Sequence, residues 1–195
     1  MALEWIKGNT PQFWKNYLAL FENDEKQRRF VVFDIESSAS EGHSRAILSI
    51  GAIGISGAAI EVGDFFEVTV GREFPESNRP GSTSTGSDKV VEAEAMIRFL
   101  NFIKNATLVG HNATSDIEII NQALKRLDLG RLKNDLMDTN VLFQKWKDLP
   151  EDRQVSLDEV CDALKVKKSD RHTPAMNAYI TALVFLKLMK RLGLS

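Results

Sequence analysis

The chain has 195 residues, 43% of them hydrophobic and 27% charged, enough for one globular domain with a sizeable core. A formal net charge of -2 excludes a protein that coats nucleic acid through its overall charge, so any such contact must come from local basic patches. No apolar run reaches the ~18 residues of a membrane span, and the start, MALEWIKGN, lacks the basic-then-apolar order of a secretory signal, which predicts a cytoplasmic protein with no membrane partner.

Thr10 and Pro11 read as an N-cap and a first helical position, after which Phe13, Trp14, Tyr17, Leu18 and Phe21 recur at helical spacing. This helix belongs to an N-terminal extension over residues 1–28, ahead of a main domain at 29–195. Lys26, Arg28 and Arg29 form a first basic patch, and RFVVFDIE then reads as a buried strand ending in two acids, Asp34 and Glu36. Residues two apart in a strand share a face, so these carboxylates stand side by side. Held that close they repel unless something positive lies between them, and divalent cations with oxygen ligands are the usual answer. AILSIGAIGIS and AAIEVGDFFEVTV follow as two further antiparallel strands, with a hairpin turn at Ser56 and Gly57. Residues 71–88, rich in Gly, Ser and Pro, read as a long surface loop.

The pattern then alternates. VVEAEAMIRFLNFIKN is an amphipathic helix, ATLVG a short buried strand, and TSDIEIINQALKRL a helix that closes near Gly130. Ser115 and Glu118 have capping-box spacing, with Asp116 in the first turn, over the sheet edge where α/β sites assemble. A strand at Leu136 and Met137 precedes helical patterns in TNVLFQKW and SLDEVCDAL, and the lone Cys161 sits at an apolar position of the latter and is read as core. A second basic patch, Lys165, Lys167, Lys168 and Arg171, leads to His172, and a strongly apolar helix runs from Pro174 to Leu192 with Asn177 in its first turn. The fold class is α/β: three antiparallel strands, then two with crossover helices, in one mixed sheet flanked by helices.

Four ordered pieces carry a resemblance: Asp34-Ile35-Glu36 followed by ILSIGAIGI; LVGHNATSDI with His111, Asn112 and Asp116; Asp138-Thr139; and His172 spaced ahead of Asn177. Over roughly residues 29 to 192 the chain resembles the DnaQ-like 3'-to-5' exonucleases of the DEDDh type, in the ribonuclease H-like superfamily, among them domains of the DNA polymerase III epsilon kind. The resemblance implies a five-stranded mixed sheet and two divalent cations, Mg2+ or Mn2+. Asp34 would bridge both ions, Glu36 and Asn177 would add ligands, Asp116 would act through water, and His172 would be the general base. It also implies that Ile35, Ser37, Ser38, His111 and Asn112 contact the substrate, a single-stranded or frayed 3' end of DNA, with RNA an alternative. Hard oxygen ligands suit such ions, and an imidazole titrating near neutrality suits a base.

The sequence departs from that pattern in places. The family carries aspartate where this chain has Asn177, which removes one negative charge facing the cations. The replacement is either a deliberate silencing or a natural feature of a member with weak or absent catalysis. Ser37, Ser38 and Ala39 stand where Thr-Thr-Gly is usual, and Ser115 where an aromatic residue is frequent. Two functions follow: an exonuclease releasing nucleoside monophosphates, weakened or silenced by Asn177, or a catalytically lapsed module that binds nucleic-acid ends or proteins. Related domains serve polymerases, so a polymerase partner is an expectation, unsupported by any docking tail between the last helix and Ser195.

Overall fold

A computed structural model describes residues 10–22, 29–38, 45–71, 89–168 and 173–194. Strand β1, Arg29–Ser37, alternates its apolar side chains between two cores: Val31 and Phe33 enter one, Val32 the other. That two-sided burial is why the run reads as continuously apolar. Strands β2, Ile47–Ser56, and β3, Ala59–Thr69, complete an antiparallel meander on one side of β1. Strands β4, Thr107–Gly110, and β5, Leu136–Asp138, add in parallel on the other. The order is β3-β2-β1-β4-β5, the expected five-stranded mixed sheet.

Helices cover both faces. Helices α1 (Gln12–Ala19), α2 (Glu92–Ile103) and α3 (Thr114–Arg126) bury their apolar sides in the first core, whereas α4 (Thr139–Lys147), α5 (Leu157–Leu164) and α6 (Pro174–Leu192) form the second. Cys161 is fully buried in that second core, as expected. Helix α1 is fastened to the sheet domain: Trp14 and Tyr17 are buried in the first core, and the Tyr17 hydroxyl donates to Asn134 Oδ1 at 2.7 Å while accepting from the Lys133 amide at 2.8 Å.

Several helix ends differ from expectation. Pro11, not Thr10, is the N-cap of α1, and no side chain caps it. Helix α3 starts at Thr114 behind Ala113, so Ser115 is already inside the helix and the capping box does not form; Glu118 pairs with Arg131 at 2.8 Å instead. The same helix closes at Leu127, before Gly130. The hairpin turns at Gly57 and Ala58, one residue later than expected, with Gly57 at φ +60°. The 71–88 loop lies almost wholly outside the described residues, as do Lys26, Arg28, Arg171 and His172. Arg29 is engaged inside the fold: its guanidinium is paired with Asp64 at 2.8 Å and donates to the Phe102 carbonyl at 2.9 Å.

Helix α6 is set against the sheet by one residue. Gly51 lies opposite Asp34 across β1 and β2, and a Cβ there would run into the backbone of Pro174 and Ala175. The missing side chain lets the first turn of α6 rest directly on the strand ends, next to Asp34. Replacing Gly51 with alanine is expected to push that turn away and cost on the order of 1–3 kcal/mol, read as a lowered denaturation midpoint.

Candidate active site

Asp34 and Glu36 project from the carboxyl end of β1 on the face covered by α6, because they share the side of the strand that carries Val32. A register shift between Glu36 and Ser37 ends the regular ladder with β2 at this point. Glu36 is exposed and accepts from the Ser49 hydroxyl at 2.9 Å, from the neighbouring strand. Ser38 Oγ accepts from the Ala46 amide at 3.1 Å, closing the chain beyond the site.

Asp116 comes from the first turn of α3, across the edge between β1 and β4. Its position depends on Asp138 at the end of β5. That carboxylate accepts from the backbone amides of Asn112 at 3.0 Å and Ala113 at 2.8 Å, and from Asn140 at 2.8 Å as the N-cap of α4. One side chain thus ties the turn that launches α3 to the start of α4. Asn112, in that turn, has φ +55°, a conformation asparagine tolerates better than most residues. His111 braces the same junction: Nε2 donates to the Val155 carbonyl at 2.8 Å, and Nδ1 lies 2.9 Å from the Thr139 hydroxyl. The Asn112 amide also donates to Val155, at 3.3 Å. His111 and Asn112 were read as substrate contacts; here their polar groups hold β4, α4 and the segment before α5 together. Ile35, also read as a contact, packs against the first core.

The carboxylates feel one another. Burial, and then the nearby Asp34 charge, push Asp116 up to about 7; Asp138 adds to the rise, while the Ser115 hydroxyl and the Arg45 guanidinium oppose it. Asp34 is likewise raised by burial, with the Glu36 charge adding to it, and is drawn back by a hydrogen bond: the Asn177 amide donates to Asp34 Oδ2 at 3.1 Å. Asn177 stands in the first turn of α6 behind Thr173, whose hydroxyl caps the helix by accepting from the Met176 amide.

The structure therefore brings Asp34, Glu36, Asp116 and Asn177 to one end of the sheet, while His172, immediately before Thr173, lies outside the described residues. As donors the three acids suit a hard divalent cation, and their mutual repulsion is what such an ion would relieve. No three His, Cys, Asp or Glu side chains among the described residues converge on one metal position; Asp34 is turned to Asn177 and Glu36 to Ser49. Sequence reading missed Ser49 and passed over the tethering role of Asp138, whose only signal was its match to a family motif.

A five-stranded mixed sheet in the order β3-β2-β1-β4-β5, with acids at the carboxyl end of its central strand, is a ribonuclease H-like fold. The chain belongs to the RNase_T exonuclease family, whose model matches residues 31–185. A PolC-type DNA polymerase III of Caldanaerobacter subterraneus is 32% identical over 170 residues, covering 84% of this chain and 12% of that polymerase. The PolC-type enzyme of Bacillus subtilis is 26% identical over 176 residues, covering 85% and 12%. The chain thus spans only about an eighth of the length of these curated relatives. Among solved structures, the nuclease domain of 3'hExo, a DEDDh family member bound to rAMP, superposes with a TM-score of 0.65 at 12% identity, covering 86% of this chain and 94% of that one. E. coli exonuclease I in complex with a dT13 oligonucleotide gives 0.66 at 14% identity, covering 86% and 42%. Among the described residues no helix is long and apolar enough to cross a membrane.

The crowding has a measurable consequence. In chelator, Asp116 keeps a proton in the folded chain up to about 7 but releases it near ~3.9 when unfolded. Between those values the native state binds the extra proton, so stability falls as pH rises, by about 1.4 kcal/mol per pH unit, and this contribution is gone above about 7. Denaturant titrations of the metal-free chain at several pH values should show the fall, and Asp116→Asn should flatten most of it. A profile already flat in the unmodified chain would mean that the carboxylates are not crowded.

Proposed function

We propose that this domain is a 3'-to-5' exonuclease that hydrolyses the terminal phosphodiester of a nucleic-acid 3' end and releases nucleoside monophosphates, with turnover held low by Asn177. The observation that carries the proposal is the pairing of Asp34 and Asp116 at one sheet edge, each in the other's electrostatic reach, in a chain of an exonuclease family. Acids that repel one another contribute nothing to folding at that edge; they suit a site built to hold positive charge.

Asp34, Glu36 and Asp116 are the residues that would hold two divalent cations, Mg2+ or Mn2+, with Asn177 offering a neutral oxygen in place of a fourth charge. Such ions, when bound, supply Lewis-acid stabilisation of the charge that develops on the phosphate and the departing oxygen. The chain's own residues do the rest. Asp138 fixes the start of α3 and so holds Asp116 in place. Ser49 orients Glu36. His172, the residue before Thr173 in the sequence, would take a proton from the attacking water. Ser37 and Ser38, at the end of β1, would seat the terminal nucleotide. The polymerases among the relatives support DNA as the substrate and a polymerase as a working partner.

A second reading is favoured by one contact. The Asn177 amide satisfies Asp34 without any ion, as expected of a domain that keeps the fold, binds 3' ends and no longer cleaves. Release of mononucleotides from a single-stranded DNA in Mn2+ separates the two. Asn177→Asp is expected to cleave faster than the unmodified chain, on the order of 10–100-fold. If both forms are inert yet bind ends in a salt-dependent way, the lapsed module is the better reading. If neither cleaves nor binds, both readings fail.

A further inference from the structure

Helix α6 has an outward face that the packing of the core leaves uncovered. Met176 and Tyr179, at 37% and 40% exposure, are followed by half-buried Leu183 and exposed Lys187 and Lys190. The steps of three and four residues put all five on one stripe of the helix, and Arg191 borders it. The stripe begins beside Asn177 at the carboxylate cluster. It ends at the far edge of the sheet, where Phe185 packs on Phe30 near the start of β1, with ring centroids 5.0 Å apart.

That far end is strongly basic. Leu164, Lys187, Lys190 and Arg191 line a groove of about 610 Å³. Lys187 Nζ is held there by the Leu164 carbonyl at 2.9 Å, at the end of α5. Beside it, Lys147 Nζ and the Arg191 guanidinium lie 4.1 and 5.5 Å from the centre of the half-buried Trp146 ring. Lys165 and Lys167 are exposed nearby in sequence, and Asp162 of α5 is already paired with Lys168 at 2.7 Å; exposed Asp148 follows Lys147 in the sequence. In a chain of net charge -2 this is a local concentration of positive charge, and it points to a polyanion.

Resting on the exonuclease reading, we infer that the outward face of α6 is the track for the single strand upstream of the 3' terminus. Exposed Met176 and Tyr179 meet the bases nearest the site, and Lys187, Lys190 and Arg191 meet phosphates further back. Asn177 and Arg191 are fourteen positions apart, which is ~21 Å along a helix, a span of several nucleotides of an extended single strand. Apolar and aromatic groups close to the reacting end, with cations behind them, suit a strand bound without sequence preference. An acidic protein surface would leave the exposed aromatic next to the carboxylates unexplained.

The test is fluorescence anisotropy in chelator with oligothymidylates of ~2 and ~12 nucleotides, the shorter unable to reach the basic end. The double variant Lys190→Gln, Arg191→Gln leaves the Lys187 contact with α5 in place, and a matched thermal melt verifies its fold. It is expected to lose about tenfold in affinity for the longer strand, with the salt slope reduced by about 1.4, and to bind the shorter one unchanged. Tyr179→Ala should weaken both by about fivefold or more. Undiminished affinity of the double variant for the longer strand overturns the track and leaves the patch to a protein partner. An equal loss for both lengths overturns the assigned direction. Failure of the unmodified chain to bind either strand overturns the track, and the exonuclease reading falls with it only if mononucleotide release in Mn2+ is absent as well.

Discussion

Electrostatic crowding at the carboxyl end of β1 is the constraint around which this domain is organised. Asp34 and Glu36 share a strand face, and Asp116 arrives from the opposite layer. Burial and nearby negative charge make Asp34 and Asp116 harder to ionise than exposed carboxylates would be. A fold under no other demand would place such residues in water. Here the opposite has happened: Gly51 gives up its side chain so that α6 can close over Asp34, and Asp138 accepts from three backbone amides that hold the starts of α3 and α4 in place.

Asn177 changes the balance in that cluster. An aspartate there would add a further negative charge facing Asp34, whereas the amide donates a hydrogen bond to it. The residue present therefore satisfies Asp34 within the fold itself. Under the proposed function, the same contact would strengthen the metal-free fold and hold turnover low. Family membership accounts for the architecture and does not by itself set the activity.

Much of this was legible in the sequence because it depends on spacing within one element. The apolar run before Asp34, the hairpin pattern and the long apolar helix from Pro174 all report burial directly, and each became the expected strand or helix. What escaped depends on contacts between distant segments. Ser115 and Glu118 had the spacing of a capping box, but the turn held by Asp138 starts α3 earlier and Glu118 turns to Arg131. Arg29 looked like a basic surface residue and is instead consumed by Asp64 and the end of α2. His111 carried a family motif, and its two nitrogens meet partners 28 and 44 residues away. The basic end of α6 was invisible for the same reason: Lys187, Lys190 and Arg191 join the cations of α4 only after the helices pack.

The central claim, that the crowded carboxylates form a cation site, is tested most directly by thermal melting at pH 8 with increasing Mn2+, on this chain and on Asp34→Asn. An ion that binds only the folded state raises the midpoint in proportion to the logarithm of its concentration once the site is filled. The account predicts that the unmodified chain gains stability with Mn2+, while Asp34→Asn starts higher in chelator and responds little. A midpoint that does not move with Mn2+ in the unmodified chain, or that moves equally in both proteins, would contradict it.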